Sequence, residues 1–420
     1  MAINFLDLFA GAGGLSEGFV QAGYEPLAHI EMDAAACFTL RTRAAFHYLN
    51  QTPEGQKIYK DYLLKRISRQ EFYSKVPSQY LEAVIHETIG DETTPSLIAK
   101  VNKLRRRRSV DIIIGGPPCQ AYSVAGRAKL HDRYDPRKLL YRYYVRFLES
   151  FQPRVFLFEN VTGLLSSRDT HGIRILPSIH DAFENAGYNI IESVYQAEQY
   201  GVPQRRKRLI IIGFRKDCAC LCGEPKREEF PMTIRSLLGD LKSIHSAEGI
   251  IREDGRKEAE KANEVLVKLG ISDDVYPVTY HQSRYNNERD LEIYRRVVEK
   301  WNASRKRLNY ETDLPSDLQT HKNMTCFQDR YKVVDGFSNA SHTVVAHICK
   351  DGHYYIHPDI EQNRSLTPRE AARLQTFPDN YFFESPTERD TRMYAYRQIG
   401  NAVPVILARK LAELVLPCFK

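Results

Sequence analysis

Short runs of β-branched and aromatic residues alternate with helical patterns through the first half of this 420-residue chain. The first helical pattern covers residues 14–22, and a second begins at Asp33. The apolar runs predict strands over 3–9, 25–31, 110–116 and 153–160. Strands that alternate with helices pair in parallel, with helices covering both faces of the sheet. The predicted fold class is therefore α/β, a doubly wound, Rossmann-like sheet.

The later part of the chain departs from this alternation. Residues 187–197 and 208–215 read as an antiparallel strand pair that closes the sheet. From residue 216 the pattern becomes irregular, which predicts a second, smaller domain over 216–394. The first domain, 1–215, is then completed by a C-terminal helical segment within 395–420.

Three local patterns in the C-terminal third predict specific elements. Residues 341–359 read as a hairpin around the Asp351-Gly352 turn. Thr367 and Glu370 have the spacing of a helix-initiating capping box. Residues 401–416 predict one amphipathic closing helix. Between residues 44 and 108 the chain reads as a long helical region without a motif.

Composition limits the class of protein. Charged residues make up 27% of the chain, and the formal net charge of +7 is compatible with a polyanionic partner. No apolar run approaches the roughly 18 residues that a membrane span needs, so we expect a cytoplasmic protein without a membrane partner. Eight cysteines in so long a chain do not indicate a disulfide scaffold. In a reducing compartment each is expected to be buried, catalytic or metal-bound.

A glycine-rich turn, DLFAGAGGLSEGF, joins the first strand to the first helix. Such a turn lets a ligand approach the backbone and presents N–H groups at a helix N-terminus. Glu31 ends the second strand, where doubly wound folds place a carboxylate on a ribose. The spacing of Gly11, Gly13 and Gly14 does not fit G-x-G-x-x-G, so an adenosine-containing cofactor need not be a nicotinamide. Tight packing alone is the alternative explanation.

A cysteine and a carboxyl group follow two further strands. Cys119 stands in GGPPCQAYS and Glu159 in FENV, each at a strand's carboxyl end. The carboxyl ends of parallel strands share one edge of a sheet, so both side chains are expected to face one pocket. A thiol and a carboxyl group suit attack on an electron-poor ring that is protonated as the thiolate adds. A buried, inert cysteine and a solvated strand end are the alternatives.

Two arginines lie two residues apart in QYGVPQRRKR. Arg206 and Arg208 share one face of the predicted strand, and we expect them to point at one place. Their guanidinium groups would suit a phosphate or a base edge. A solvated basic run is the alternative.

Six ordered segments resemble the motifs of the DNA (cytosine-5) methyltransferase family. They are DLFAGAGGLSEGF, GGPPCQAYS, FENV, QYGVPQRRKR, RSLTPREAARLQTFPD and YRQIGNAVP. Together they cover residues 3–215 and 364–415, which leaves roughly 216–363 as the family's target-recognition region. The resemblance implies an S-adenosylmethionine-dependent methyltransferase domain followed by a smaller target-recognition domain.

The resemblance also implies a role for individual residues. Cys119 would be the nucleophile, Glu159 would hold the flipped cytosine, and Gln120 and Ser123 would lie beside the DNA or that nucleotide. Arg206 and Arg208 would orient the base and Glu159. The residues expected around S-adenosyl-L-methionine, which would leave as S-adenosyl-L-homocysteine, are Phe9, Gly11, Gly13, Glu31, Pro118, Leu140 and Asn401. Asp91 is a candidate for the family's acidic contact to adenine and is left unassigned.

The implied partner is double-stranded DNA, with a cognate restriction endonuclease encoded nearby and no metal. A tRNA cytosine-5 methyltransferase would share every catalytic motif and is the alternative.

Three sequence features that could suggest DNA or metal binding are not assigned to a site. The RRRR run at 105–108 precedes the strand that ends near Cys119, so it should lie at the opposite edge of the sheet. CACLC, at 218–222, lacks the usual zinc spacing, and His347 should face away from the neighbouring His353 and His357.

Overall fold

The computed structural model describes residues 2–118, 139–169, 172–218, 220, 223–257, 263–320 and 328–419. Within them, one mixed sheet of seven strands has the order β3-β2-β1-β4-β5-β8-β6. Its strands are β1 (Ile3–Leu8), β2 (Tyr24–Glu31), β3 (Val84–His86), β4 (Ile112–Gly115), β5 (Val155–Asn160), β6 (Tyr188–Gln196) and β8 (Lys207–Arg215). A small second sheet pairs β7 (Gln204–Arg205) with β9 (Ser341–His342).

Helices connect these strands and form the layers around them. The helices of the first half are α1 (Gly14–Gln21), α2 (Ala34–Leu49), α3 (Pro53–Leu63), α4 (Arg69–Ser74), α5 (Ser78–Glu82), α6 (Thr94–Arg105), α7 (Leu140–Phe151) and α8 (Ile175–Asn185). Those of the second half are α9 (Ile234–Leu238), α10 (Glu264–Lys268), α11 (Glu288–Ser304), α12 (Pro368–Leu374), α13 (Arg392–Asn401) and α14 (Val405–Val415).

Alternation along the central strands divides the core between the two faces of the sheet. Phe5 belongs to one apolar cluster and Leu6 to the other. In β4, Ile112 and Ile114 join the first cluster while Ile113 joins the second. Side chains of a strand point alternately to opposite faces, so this division means that both faces of the sheet are buried. The α/β fold class predicted from the sequence is confirmed.

The register of the sheet brings three strand ends to one edge. Leu8 of β1 pairs with Gly115 of β4, and Gly115 pairs with Phe158 of β5, all in parallel. Strand β8 runs antiparallel between β5 and β6, as the sequence predicted for the closing pair. The turns that follow β1, β4 and β5 therefore lie side by side, and the candidate site lies in these turns.

The region after β8 adds a separate apolar cluster and the second sheet. Helix α11 packs its buried face, which includes Tyr294 and Val298, against Tyr331 and Ile356. At the start of α12 the Thr367 side chain accepts from the Glu370 N–H, and the Glu370 carboxylate accepts from the Thr367 N–H. The capping box predicted there is confirmed.

Two local predictions are wrong and one is confirmed with a shifted start. The hairpin over 341–359 does not form, because β9 pairs with β7, and Ile356 bridges to Val333 and Ser365 instead. Residues Ala346–Cys349 form a 3₁₀ turn. Within the region predicted to be helical, the three-residue strand β3 was too short to show a pattern. The closing helix predicted over 401–416 is α14, which begins after Pro404 at Val405.

The expectation for the cysteines is wrong at one pair. Cys220 and Cys418 form a disulfide with their Cα atoms 5.3 Å apart. The two residues are 198 positions apart, and the packing of the C-terminal segment, not any local spacing, brings them together. In the described ranges no three His, Cys, Asp or Glu side chains are grouped to hold a metal ion. Over the same ranges no helix combines the length and apolarity needed to cross a bilayer.

Candidate active site

The glycine-rich turn after β1 folds around the carboxylate of Glu31. Phe9, Gly11 and Gly13 all have positive φ angles, of 58°, 55° and 81°. This curvature points the Gly11 N–H at Oε2 of Glu31, 2.8 Å away. Oε1 of the same carboxylate accepts from the N–H groups of Met32 and Asp33, each at 2.8 Å. The structure therefore brings together four of the residues predicted to bind the cofactor, because the turn that contains Phe9, Gly11 and Gly13 lies against Glu31.

The pKa of Glu31 reflects the partial burial of its carboxyl group. Desolvation raises the pKa of the Glu31 carboxyl above its ordinary value, while the N–H donors of Asp33, Gly11 and Met32 oppose the shift. A carboxylate has about four lone-pair positions, so it can accept from hydroxyl groups in addition to these N–H groups.

One side of the glycine turn is open and the other is filled. A Cβ atom on Gly11 would have no heavy atom within 4 Å, whereas one on Gly13 would lie 2.8 Å from both Leu40 and Tyr381. A Cβ on Gly14 would collide with the carbonyl of Val403. The turn is thus packed against the segment that follows Asn401, which ends α13 and is itself exposed. This arrangement fits an adenosine-type ligand lying along the open side of the turn.

The glycines of GGPPC are explained by contacts at the ends of β1 and β5. Gly115 has a φ of 145°, and a Cβ there would collide with the carbonyl of Leu8. A Cβ on Gly116 would come closer than 3.0 Å to both Oε2 and the carbonyl oxygen of Glu159. Asn160 Nδ2 donates to the carbonyl of Pro117 at 3.3 Å. The backbone leading to Cys119 therefore lies directly against Glu159.

Glu159 is held by an arginine from the neighbouring antiparallel strand. Arg208 Nε lies 2.5 Å from Oε1 of Glu159, and the side chains are only 10% and 16% exposed. The guanidinium also donates through Nη1 to the carbonyl of Lys207 at 2.9 Å. An ion pair this little exposed is poorly screened, so the charge of Arg208 attracts the Glu159 carboxylate strongly.

Arg206 has different partners, so the expectation that both arginines point at one place is wrong. Its side chain is 1% exposed and donates to the carbonyls of Val344 at 2.6 Å, Gly400 at 3.1 Å and Ala402 at 2.9 Å. The two arginines do alternate inward as predicted. Strand β7 ends at Arg205, however, so Arg206 falls between two strands and its guanidinium is directed to the C-terminal segments. Its hydrogen bonds hold the backbone at Val344 and at 400–402 together, and we refer to this role as a clamp.

Several predicted site residues fall at or beyond a gap. Cys119, Gln120 and Ser123 lie outside the described residues. Pro118 and Leu140 are on either side of that gap, and both are half-buried. Their expected places in the cofactor pocket remain predictions.

The two features discussed outside the site have clear positions. Asp91 is exposed and bonds to α7, through Tyr143 Oη at 2.9 Å and Arg146 Nη2 at 3.1 Å. The arginine run 105–108 begins at the last residue of α6 and precedes β4. It therefore lies at the sheet edge opposite the carboxyl end of β4, as predicted.

The sequence reasoning missed residues whose effect is indirect. Gln204 is fully buried, accepts from the Val344 N–H at 2.9 Å and donates to the Leu374 carbonyl at 3.1 Å. Tyr381, also buried, donates to the Ala12 carbonyl at 2.5 Å. The alternation of QRRKR would have placed Gln204 inward with Arg206. Nothing near Tyr381 in the sequence marks its contact with a turn 369 residues away.

With this geometry in place, comparison with known proteins decides the family. The model of the C-5 cytosine-specific DNA methylase family matches residues 3–64 and 81–416. The chain belongs to this family. The predicted enzyme class, DNA (cytosine-5-)-methyltransferase, is confirmed, and the activity of this methylase is methyl transfer to carbon 5 of cytosine in DNA.

Individual relatives agree over the full length of the methylase. It is 37% identical to the type II methyltransferase M.Bpa9945I of Bacillus paralicheniformis, over 98% of each chain. It is 30% identical to the type II methyltransferase M.XorII of Xanthomonas oryzae, over 99% of this chain and 85% of that one. A prophage-encoded methyltransferase of E. coli has the same fold, with a TM-score of 0.63 at 23% identity, covering 100% of this chain and 99% of that one. The relatives favour the DNA substrate over the tRNA alternative.

Proposed function

We propose that the methylase forms a covalent adduct between Cys119 and a cytosine flipped out of duplex DNA, with S-adenosyl-L-methionine as methyl donor. The observation that carries the proposal is the contact of the Gly116 backbone with Glu159, whose carboxylate Arg208 holds from the other side. Cys119 follows Gly116 by three residues, so the chain must pass close to that carboxylate.

The chemistry requires a thiolate and an acid on the same ring. Addition of the Cys119 thiolate to carbon 6 forms a C–S bond and pushes electrons toward N3. The Glu159 carboxyl group would donate a proton at N3, and carbon 5 becomes nucleophilic. When the carbon-5 proton later passes to water, the C–S bond breaks, the thiolate is released, and the N3 proton returns to Glu159. Extrusion of the base costs a few kcal/mol in lost stacking and pairing.

The cofactor would lie along the open side of the glycine turn. S-adenosyl-L-methionine, when bound, supplies an electrophilic methyl group. Glu31 would accept from the ribose hydroxyls, and the backbone at Phe9, Gly11 and Gly13 would border the adenosine. Pro118, Leu140 and Asn401 would complete the pocket. Gln120 and Ser123 would contact the flipped nucleotide or the adjacent backbone.

Arg208 would act as a positioning residue through Glu159, whereas Arg206 would keep the C-terminal segments in place. The full-length similarity to type II methyltransferases supports a role in a restriction-modification system, with a cognate endonuclease as partner.

The test is methylation of DNA in cells that express the methylase. Genomic DNA from cells that express the methylase should contain 5-methylcytosine in one recurrent sequence when it is read by bisulfite sequencing. Cys119→Ser should abolish this signal. Methylation that survives in Cys119→Ser, or transfer to tRNA but not DNA, would contradict the proposal.

A further inference from the structure

A cleft with an excess of positive charge opens beside β7, in the region predicted to recognise the target. This cationic cleft, of about 110 Å³, is lined by Arg205, Trp301, Lys306, Arg307, Lys332 and His342, together with Tyr331, three aliphatic side chains and Asp335. Arg205, Lys306 and Arg307 are exposed to solvent. Four cations against one lining carboxylate make the cleft a site for an anion.

The acidic partners of these cations are weakly held. Asp329 lies 3.1 Å from Arg307 and 2.6 Å from Lys332, and its side chain is 55% exposed. Exposed ion pairs contribute only about 0–1 kcal/mol each, so a phosphate can take the place of Asp329 at little cost. The cations are therefore available to a polyanion.

Two of the residues that line the cleft, His342 and Trp301, carry no charge. Burial lowers the pKa of His342 to about 4, and its Nε2 is bonded to the Tyr354 carbonyl. Trp301 is half-buried and donates to Asp335 at 3.3 Å. Half to two-thirds of the hydrogen bonds between proteins and DNA go to phosphate and sugar oxygens, and Arg and Lys are common donors to them.

The cleft is joined to the candidate active site through one short stretch of chain. Arg205 points outward from the stretch on which Arg206 and Arg208 point inward. Its strand pairs in parallel with Ser341–His342, and His342 of that strand lines the cleft. Arg205 precedes Arg208 by only three residues, so the cleft and the ion pair with Glu159 are attached to the same short stretch of chain.

We propose that the cationic cleft binds backbone phosphates of the DNA beside the target cytosine. The inference rests on the proposed function, since it takes Glu159 as the place of the flipped base. Phosphate contacts of this kind fix the register of the duplex without reading its sequence.

The test measures DNA affinity as a function of salt. Lys306→Gln/Arg307→Gln removes two exposed cations from the cleft, and Arg106→Gln/Arg107→Gln removes two exposed cations from the opposite edge of the sheet as a control. The probes are a fluorescein-labelled duplex that carries the sequence mapped by bisulfite sequencing and a labelled duplex of unrelated sequence. Fluorescence anisotropy over a potassium chloride series gives Kd and its salt dependence for each.

The cleft variant should bind both duplexes several-fold more weakly at low salt. Its slope of log Kd against log salt should fall by about 2, one for each lost phosphate contact. The control should match the unaltered chain. An unchanged slope, an equal loss in the control, or a changed methylated sequence would overturn the inference. Methylation by the unaltered chain is scored separately, so its absence would contradict the proposed function instead.

Discussion

The Nε atom of Arg208 lies 2.5 Å from Oε1 of Glu159, across the antiparallel pairing of β5 with β8. The other carboxylate oxygen, Oε2, faces the backbone of Gly116. Glu159 is thus held between a cation and the turn that leads to Cys119. Its orientation is set before any substrate binds.

Loss of the Arg208 side chain should disable catalysis more than binding. Arg208→Ala removes the group that orients the Glu159 carboxylate, and loss of one preorganised electrostatic contact typically lowers kcat by about 10²–10³-fold. Arg208→Lys keeps the charge without the planar fork and should recover part of the rate. Single-turnover methylation of DNA at saturating concentrations checks both variants. Equal rates for Arg208→Ala and the unaltered chain would contradict the positioning role.

A single methyl group at residue 116 should have a similar effect by a different route. In Gly116→Ala the new Cβ would displace the Glu159 carboxylate, and a misplacement of about 1 Å can cost about 10²-fold in rate. Gly223→Ala is the matched control, because a Cβ there meets no heavy atom within 4 Å. Methylation rates of the two variants, compared after equal thermal stability is verified, test the contact.

The clamp at Arg206 should matter for stability. Arg206→Ala would leave the carbonyls of Val344, Gly400 and Ala402 without their donor, at about 1–3 kcal/mol for each unsatisfied buried group. Arg205→Ala, at the exposed neighbouring position, should change the free energy of unfolding by no more than about 0.5 kcal/mol. Urea unfolding of the two variants measures the difference. Equal stabilities would show that Arg206 is not a clamp.

The capping box of α12 should make stability depend on pH. Burial by itself would raise the pKa of Glu370, but the Arg364 guanidinium outweighs it and holds that pKa well below its ordinary value of 4.5. The stability that this pair contributes is present above pH 4.5 and is lost as the pH falls below it. Glu370→Gln should therefore be destabilising by about 3–5 kcal/mol at neutral pH. The difference from the unaltered chain should shrink in acid.

Urea unfolding at a series of pH values checks this expectation. The exposed Glu413→Gln, on the surface of α14, serves as the control and should leave the pH dependence unchanged. A stability difference between Glu370→Gln and the unaltered chain that stayed constant down to acid pH would contradict the assignment.

The sequence predicted the parts of the fold that depend on local pattern. Short apolar runs placed β1, β4 and β5, and their parallel pairing placed Glu159 at the edge reached by GGPPC. Side-chain partners were predicted less well, because they depend on contacts distant in sequence. Arg206 reads like Arg208 along the strand, yet its carbonyl partners at 400 and 402 come from the C-terminal segment. The Cys220–Cys418 disulfide was missed for the same reason.

Strand pairing between residues distant in sequence also determines the structure of residues 341–359, which were predicted to form a hairpin. The Asp351-Gly352 pair is typical of a two-residue hairpin turn, but β9 pairs with Gln204 and Arg205 instead. The positions of Cys119, Gln120 and Ser123 remain predictions from the sequence and the family resemblance.

The most direct test of the account is chemical trapping of the adduct. Duplex DNA with 5-fluorocytosine at the mapped target blocks the final elimination, because the fluorine at carbon 5 cannot leave as the proton does. Incubation with S-adenosyl-L-methionine should give a denaturation-resistant complex, and mass spectrometry of its peptides should place the modified nucleotide on Cys119. A complex linked through another residue, or methylation of ordinary DNA without any trapped complex, would contradict the central claim.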